Sequence, residues 1–176
     1  MTAYTLFPTA IGTCGLLWAD TGILALQLPE ATDALTVRRM VGDHEATEAE
    51  PPAGIQDVIA SVQALTEGGN VDLTHVPLDM ARVSSYNRRL YEAIRAIPPG
   101  LTRTYGEIAA DLGEPGAARA VGRAMGQNPW PIIVPCHRVV AANGKTGGFS
   151  AYGGVSTKLR LLAIEQAHRS TDGALF

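Results

Sequence analysis

Cysteine is scarce in this chain: its 176 residues include only two, Cys14 and Cys136. Their separation does not match a disulfide framework, so we expect a reduced, cytoplasmic protein. Long apolar runs are also missing, since none approaches the roughly 20 residues that a membrane-spanning helix needs. The first residues lack the charged and apolar regions of a secretion signal. We therefore expect no membrane partner.

An excess of one charge is lacking as well, but the balance changes along the chain. The formal net charge is -3, which argues weakly against a nucleic-acid partner. Residues 1–84 carry three basic and eleven acidic side chains, whereas residues 85–165 carry ten basic and five acidic ones. This asymmetry indicates a C-terminal half that faces a polyanion. A merely solvated acidic surface on the N-terminal half is the alternative interpretation.

The spacing of apolar residues and helix breakers predicts two domains, residues 1–84 with a linker and residues 85–176. A hairpin is predicted over residues 4–28, with its turn at Asp20-Thr21-Gly22 and with Cys14 as a buried filler in a strand. Helical periodicity indicates six helices. Their predicted ranges are 31–41, 55–65, 85–97, 105–112, 117–125 and 157–167, with Leu159, Leu162 and Ala163 of the last one facing inward.

Two of these helices lie close together in the second half. Thr104 can cap the helix from Tyr105, and the break Gly113-Glu114-Pro115-Gly116 separates it from the helix that follows. Two short helices across a tight turn form the helix-turn-helix pattern, which many small helical proteins also contain.

The segment Pro135-Cys136-His137-Arg138-Val139-Val140 carries the most chemical information. A free thiol has a pKa of about 8.5, and a nearby base or positive charge lowers that pKa and makes the sulfur a nucleophile. A lone cysteine in an apolar segment is more often a buried structural residue. From the thiol alone, both interpretations stay open.

Four motifs together resemble the O6-alkylguanine-DNA alkyltransferases, which are methylated-DNA–protein-cysteine methyltransferases. They occur in the family's order and spacing, so their combination is far more specific than any one of them. The resemblance covers residues 75–167 well and the N-terminal part only in outline. The motifs are Tyr105-Gly106-Glu107-Ile108-Ala109, Ala118-Arg119-Ala120-Val121-Gly122, Asn128-Pro129 and Pro135-Cys136-His137-Arg138-Val139.

The resemblance implies an α/β (α+β) fold with two domains. The first is a ribonuclease-H-like sheet with a helix, and the second is a winged-helix-like module that docks its recognition helix in the minor groove of double-stranded DNA. Members rotate O6-alkylguanine out of the duplex and transfer the alkyl group irreversibly to one cysteine, without a cofactor. We expect a monomer located with the nucleoid in the cytoplasm. Activity on O4-alkylthymine and cooperative assembly on DNA are left open.

The resemblance also implies the roles of the reacting residues. Cys136 is the alkyl acceptor, His137 is its base through a bridging water, and Glu165 fixes the imidazole tautomer. Asn128 is a hinge that ties the turn after the recognition helix to the segment carrying the thiol. Lys158 orients a loop or stabilises charge on the departing guanine. From sequence alone, an ordinary exposed helix carboxylate is the favoured interpretation of Glu165, and only the resemblance favours the functional one.

A second implied set contacts the duplex. Arg119 fills the gap left by the extruded base, and its small neighbours Ala118 and Ala120 let the helix approach a narrow groove. Arg123 is expected to contact DNA from the same helix. Tyr105 crowds the 3′ phosphate and favours rotation of the nucleotide. A phosphate contact for Arg119 and a half-buried core position for Tyr105 are the simpler alternatives.

A third implied set lines the pocket for the extruded base: Pro131, Val139, Phe149, Ser150 and Tyr152. Either Phe149 or Tyr152 is expected to pack on the base. Arg138 is interpreted as structural, with a partner across the domains. The N-terminal half holds Cys14, His44 and His75 without ligand spacing, so we predict no metal.

Three other functions compete with alkyl transfer. A damage-binding protein without transfer activity would lack the acceptor cysteine. A cysteine hydrolase would need an oxyanion hole and a histidine placed apart from the nucleophile, which His137 is not. A simple helix-turn-helix transcription factor would leave the Cys-His-Arg motif without a purpose.

Overall fold

The computed structural model describes residues 1–142, 147–148, 152–166 and 168–169. The fold is mixed α/β, and no helix in these ranges is both long and apolar enough to cross a membrane. The strands are β1 (Ala3–Thr9), β2 (Gly12–Ala19), β3 (Gly22–Gln27), β4 (Thr47–Glu48), β5 (Leu101–Thr104), β6 (Val139–Val140) and β7 (His168–Arg169). The helices are α1 (Asp33–Val41), α2 (Ala53–Thr66), α3 (Ser85–Arg95), α4 (Tyr105–Asp111), α5 (Ala118–Gly126) and α6 (Val155–Ile164).

The first of two compact units comprises Met1–Arg82 together with Pro129–Ile133. Its sheet has the order β3-β2-β1-β4, with antiparallel pairing except between β1 and β4. The predicted hairpin is therefore two of three consecutive antiparallel strands. Gly22 has a φ of +133° and a Cβ there would lie 2.9 Å from the Pro77 carbonyl, so glycine is required at this turn.

Segment 129–133 joins this first unit through hydrogen bonds to β3. The Leu26 amide donates to the Pro129 carbonyl over 2.9 Å, and the indole Nε1 of Trp130 donates to the Ile23 carbonyl, also over 2.9 Å. Trp130 is fully buried. A buried indole N–H needs a partner, and a strand carbonyl supplies it here. The sequence pattern did not indicate this return to the first unit.

The second unit contains Val83–Asn128 and the chain from Val134 onward. A parallel sheet of order β6-β5-β7 runs through it, so β5 is the central strand. Strand β6 directly follows the Cys-His-Arg turn, and β7 begins shortly after α6 ends. The central strand β5 thus brings the turn Cys136–Arg138 and the end of α6 to the same part of this unit.

Side-chain caps fix where α3 and α4 begin. The Ser84 hydroxyl accepts from the Asn87 amide at α3. At α4, the Thr104 hydroxyl accepts from the Glu107 amide and the Glu107 carboxylate accepts from the Thr104 amide, which is a complete capping box. Tyr105 is therefore held at the first residue of α4.

The orientation of α6 differs from the prediction. Leu159 is 47% exposed and Ala163 is exposed, so the expectation that both face inward is wrong. Lys158 and Leu161 are fully buried instead. The Lys158 ammonium donates to the Val139 carbonyl over 2.7 Å, which satisfies the buried cation and is consistent with an inward face at Lys158 and Leu161 rather than at Leu159 and Ala163. Apolar periodicity could not reveal this orientation, because it ranks lysine as a surface residue.

Candidate active site

Cys136, His137 and Arg138 form one turn of 3-10 helix after Pro135. The Cys136 amide donates to the Val134 carbonyl over 2.7 Å, and the Arg138 amide donates to the Pro135 carbonyl over 2.9 Å. A 3-10 helix has three residues per turn, so three consecutive side chains point in three directions. The thiol, the imidazole and the guanidinium of this one turn therefore point in different directions and contact different groups.

The thiol of Cys136 lies at the wall of a cavity of about 770 Å³, and the residue is 7% exposed. The cavity lies within the second unit, between α4 and α5, and small residues dominate its lining. Cys136 is therefore neither sealed in the core nor at an open surface. The lining residues are Thr104, Tyr105, Gly106, Ala118, Arg119, Gly122, Met125, Gly126, Cys136, Ala141, Ala142, Gly147 and Gly148.

A buried carboxylate binds both neighbours of the thiol. Glu165 Oε1 lies 2.9 Å from His137 Nε2 and 2.8 Å from Arg138 Nη2, and Glu165 Oε2 accepts from Arg138 Nε over 3.0 Å. Arg138 Nη1 also donates to the Ile97 carbonyl over 2.6 Å. The side chains of His137 and Glu165 are at most 1% exposed. Arg138 thus pairs inside its own unit, and the expected partner across the domains is wrong.

The charges in this cluster determine the state of the imidazole. Burial alone would raise the pKa of Glu165, but hydrogen bonds from His137 and Arg138 outweigh it and lower the pKa to about 2. Burial lowers the pKa of His137 although Glu165 opposes this effect. An ionised carboxylate only accepts hydrogen bonds, so the neutral imidazole carries its proton on Nε2.

The other imidazole nitrogen is consequently available as a base. His137 Nδ1 is buried and has no hydrogen-bond partner in the described part of the chain. In the tautomer that Glu165 selects, Nδ1 holds a lone pair. A buried acceptor of this kind can receive a proton from the thiol, directly or through one water.

The thiol itself differs from the sequence-based expectation. Burial raises the pKa of Cys136, although a hydrogen bond from the Asn128 side chain and the charge of Lys158 act in the opposite direction. The resting site therefore pairs a neutral thiol with a neutral imidazole. A thiolate is disfavoured in these surroundings, because burial favours the uncharged form of the thiol.

Lys158 of α6 is a buried cation whose charge acts on the Cys136 thiol. Its ammonium donates to the carbonyls of Val139 at 2.7 Å and Gly148 at 3.4 Å, and it lies 5.7 Å from the ring centroid of Tyr105. Burial lowers the pKa of Lys158 to about 8, and the nearby Cys136 opposes that shift. The side chain thus ties α6 to β6 and to one wall of the cavity.

Asn128 lies just beyond the end of α5. Its Nδ2 donates to the Val134 carbonyl over 2.9 Å, which is also the carbonyl that accepts from the Cys136 amide. Together with its hydrogen bond to the thiol, this places one amide between α5 and the nucleophile.

The residues expected to contact DNA share α5 and the start of α4. Arg119 and Arg123 are both exposed and lie one helical turn apart, with Ala118 and Ala120 beside Arg119. Ala118, Arg119 and Tyr105 line the cavity. Arg119 and Ala118 therefore lie at the cavity that also contains the thiol, whereas Ala120 and Arg123 do not line it.

The expected pocket residues are placed less uniformly. Val139 is buried in β6 and Tyr152 is 57% exposed, and neither lines the cavity, which differs from the prediction. Val139 contributes its carbonyl to Lys158 instead. Pro131 lies in segment 129–133 of the first unit. Phe149 and Ser150 lie outside the described residues.

Sequence reasoning missed Arg138 and Gly147 as site residues. A Cβ on Gly147 would lie 2.5 Å from the Tyr105 hydroxyl, and its φ is +73°, so only glycine fits beside that phenol. The Pro-Cys-His-Arg motif contained the signal for Arg138, but only the fold shows its carboxylate partner. No local pattern distinguishes Gly147 from the other glycines of its loop.

Among the described residues, no group of three or more His, Cys, Asp or Glu side chains lies together in a way that could hold a metal ion. The second cysteine, Cys14, is fully buried in β2. Burial raises the pKa of Cys14 to about 11. Such a thiol is an unreactive packing residue.

Comparison with known proteins shows the family to which this chain belongs. A family model for the 6-O-methylguanine DNA methyltransferase, DNA binding domain, matches residues 85–167. A methylated-DNA–protein-cysteine methyltransferase of Mycolicibacterium paratuberculosis is 40% identical over 162 residues, which cover 89% of this chain and 95% of that relative. The chain belongs to the methylated-DNA–protein-cysteine methyltransferase family.

Two further comparisons extend this result. The methylated-DNA–protein-cysteine methyltransferase of Methanothermobacter thermautotrophicus is 35% identical over 151 residues, covering 86% of this chain and 78% of that protein. The crystal structure of Mycobacterium tuberculosis OGT in complex with DNA superposes with a TM-score of 0.74 at 35% identity, over 94% of each chain. The resemblance is thus not confined to the C-terminal half.

The buried carboxylate predicts an acid dependence of stability in this methyltransferase-family protein. The pKa of Glu165 lies at about 2 in the folded state, below its ordinary 4.5, so protonation favours unfolding. Its contribution is complete above about pH 4.5 and is lost as the pH falls toward 2. Thermal unfolding followed by circular dichroism should show a steeper decline in this window for the wild type than for Glu165→Gln. The exposed Glu114→Gln is the control and should behave as the wild type; identical slopes for all three proteins would contradict the assignment.

Proposed function

We propose that this protein repairs O6-alkylguanine in double-stranded DNA by transferring the alkyl group to Cys136 in a single turnover. The observation that carries the proposal is the Cys136 thiol at the cavity wall, next in sequence to His137. The buried Glu165 carboxylate binds His137 Nε2, so His137 Nδ1 is left as a proton acceptor. Family membership supports the reaction type.

The transfer needs one displacement and two proton movements, one away from the thiol and one onto the departing guanine. As the sulfur attacks the alkyl carbon, the thiol proton passes to His137 Nδ1, through a water where the two groups do not touch. The new bond is S–C and the broken bond is C–O6, so the electron pair leaves with guanine, which takes up one proton. Glu165 stabilises the imidazolium formed in between, and Lys158 offsets negative charge on the leaving base. The thioether is stable, so each molecule reacts once.

DNA recognition is assigned to α4 and α5 as a helix-turn-helix within a winged-helix-like domain. Arg119 would enter the minor groove and occupy the space of the extruded nucleotide, with Arg123 on a phosphate and Ala118 and Ala120 allowing close approach. Tyr105 would favour rotation of the target nucleotide. We assign a ribonuclease-H-like sheet to the first domain and a monomeric state, with the nucleoid of the cytoplasm as the working location.

The identity of the acceptor is tested by labelling. An oligonucleotide duplex carrying radiolabelled O6-methylguanine should transfer no more than one methyl group per protein, and digestion should locate it on the Cys136 peptide. Cys136→Ser should reduce transfer by more than about 100-fold, because an alcohol is a far weaker nucleophile than a thiol.

The control variant for this experiment is Cys14→Ala, which removes the other cysteine and should retain transfer. Catalytic turnover beyond one methyl group per protein would contradict the single-turnover mechanism. Duplex binding without any label on the protein would favour a damage-binding function instead.

Arg119→Ala separates base extrusion from chemistry. Only duplex substrate requires extrusion, so this variant should slow repair of duplex DNA by at least about tenfold while free O6-benzylguanine reacts at nearly the wild-type rate. Single-turnover rates at saturating protein provide the measurement. Arg123→Ala, on the same face of α5, should weaken binding but recover its rate at saturation. An equal loss on both substrates for Arg119→Ala would place that residue in the pocket or the fold.

A further inference from the structure

Two polar side chains of α3 hydrogen-bond to the last turn of α5. The Tyr91 hydroxyl donates to the Ala124 carbonyl over 2.8 Å, and Asn87 Nδ2 donates to Gln127 Oε1 over 3.0 Å. Asn87 and Tyr91 are four residues apart and therefore share one face of α3. We call these four residues the α3–α5 clamp.

The clamp acts where the regular helix bonding of α5 ends. The Gln127 amide donates to the Ala124 carbonyl and the Asn128 amide donates to the Met125 carbonyl, both over 3.1 Å. These hydrogen bonds join residues three apart, as in a 3-10 helix, so the last turn of α5 is tighter than a regular α-helix. Tyr91 is 1% exposed and Ala124 is buried. The phenol therefore adds a second donor to a buried terminal carbonyl and ties this turn to α3.

Only a short path leads from the clamp to the nucleophile. Asn128 directly follows Gln127, and its side chain donates to the Val134 carbonyl, which also accepts the Cys136 amide. The same side chain hydrogen-bonds the thiol and lowers its pKa against the effect of burial. A shift at the end of α5 would therefore move the amide that favours ionisation of the sulfur.

We propose that Tyr91 is a positioning residue for the transfer: its hydroxyl fixes the end of α5 and thereby holds the Asn128 amide against Cys136. Its part in DNA repair rests on the proposed function, whereas its effect on the thiol does not. Tyr91 does not line the cavity, and its proposed effect on the position of the thiol's hydrogen-bond donor passes through Asn128.

The other titratable groups around the thiol do not change with Tyr91. They come from three elements: Lys158 of α6, Tyr105 of α4, and His137 of the nucleophile turn itself. Burial, together with the charge that Cys136 acquires, raises the pKa of Tyr91 to about 12. The phenol thus remains a neutral donor throughout the reaction.

Tyr91→Phe tests the proposal because it removes the donor and keeps the ring. Carbamidomethylation of Cys136 by iodoacetamide should slow about 2- to 10-fold near pH 7, the range that loss of one neutral hydrogen bond supports, and its pH profile should move upward. Mass spectrometry of the Cys136 peptide measures the rate. Tyr86→Phe is the matched control on α3, since the buried Tyr86 hydroxyl has no partner among the described residues, and it should leave the profile unchanged.

Two readouts distinguish positioning from a loss of stability. Local or global unfolding would accelerate modification of the buried Cys14 and Cys136 together, whereas the proposal requires Cys136 to slow and Cys14 to stay unreactive. Asn128→Ala should shift the profile in the same direction, and adding Tyr91→Phe to it should change nothing further. Additive effects, or a Tyr91→Phe profile equal to that of the wild type, would overturn the proposal.

A parallel measurement with an O6-methylguanine duplex separates the two proposals. A wild-type protein that shows the predicted iodoacetamide profile but transfers no methyl group from the duplex refutes the proposed function and leaves the positioning role standing. Methyl transfer that is equally fast in the wild type and in Tyr91→Phe refutes the positioning role alone.

Discussion

The site depends on one carboxylate shared by two neighbours on the same turn. Glu165 would be costly to bury as an anion, and the guanidinium of Arg138 makes that state favourable through two hydrogen bonds. Once ionised, the carboxylate decides which imidazole nitrogen of His137 carries the proton. Arg138 does not line the cavity, but by keeping Glu165 ionised it favours the tautomer in which His137 Nδ1 is a proton acceptor.

The fold supplies this arrangement through a small sheet. Strand β5 pairs on one side with β6, which follows Cys136–Arg138, and on the other with β7, which follows Glu165. Parallel pairing on both sides brings together two segments that are 27 residues apart at the Arg138–Glu165 contact. Helix α5 ends at Gly126, and Asn128, two residues later, hydrogen-bonds the Val134 carbonyl that also accepts from the Cys136 amide, so the end of α5 and the nucleophile turn are connected by hydrogen bonds.

Much of the site could be predicted from the sequence, because its chemistry is concentrated in short motifs. Cys136, His137, Asn128 and Arg119 lie in segments whose order and spacing are specific. The orientation of α6 could not be predicted, since a buried lysine contradicts apolar periodicity and depends on carbonyls of β6 and Gly148. The pKa of the Cys136 thiol could not be predicted for a related reason: neighbouring groups are visible in the sequence, but burial is not. The roles of Arg138 and Tyr91 depend on partners 27 and 33 residues away, which no local pattern reveals.

The protonation state of His137 in the resting protein tests this account most directly. Nitrogen-15 NMR of the labelled imidazole at neutral pH should show a neutral ring with the proton on Nε2 and a bare Nδ1, and Arg138→Met should disturb that state. An imidazolium in the resting wild type, or a neutral ring with its proton on Nδ1, would contradict the claim that Glu165 prepares the base.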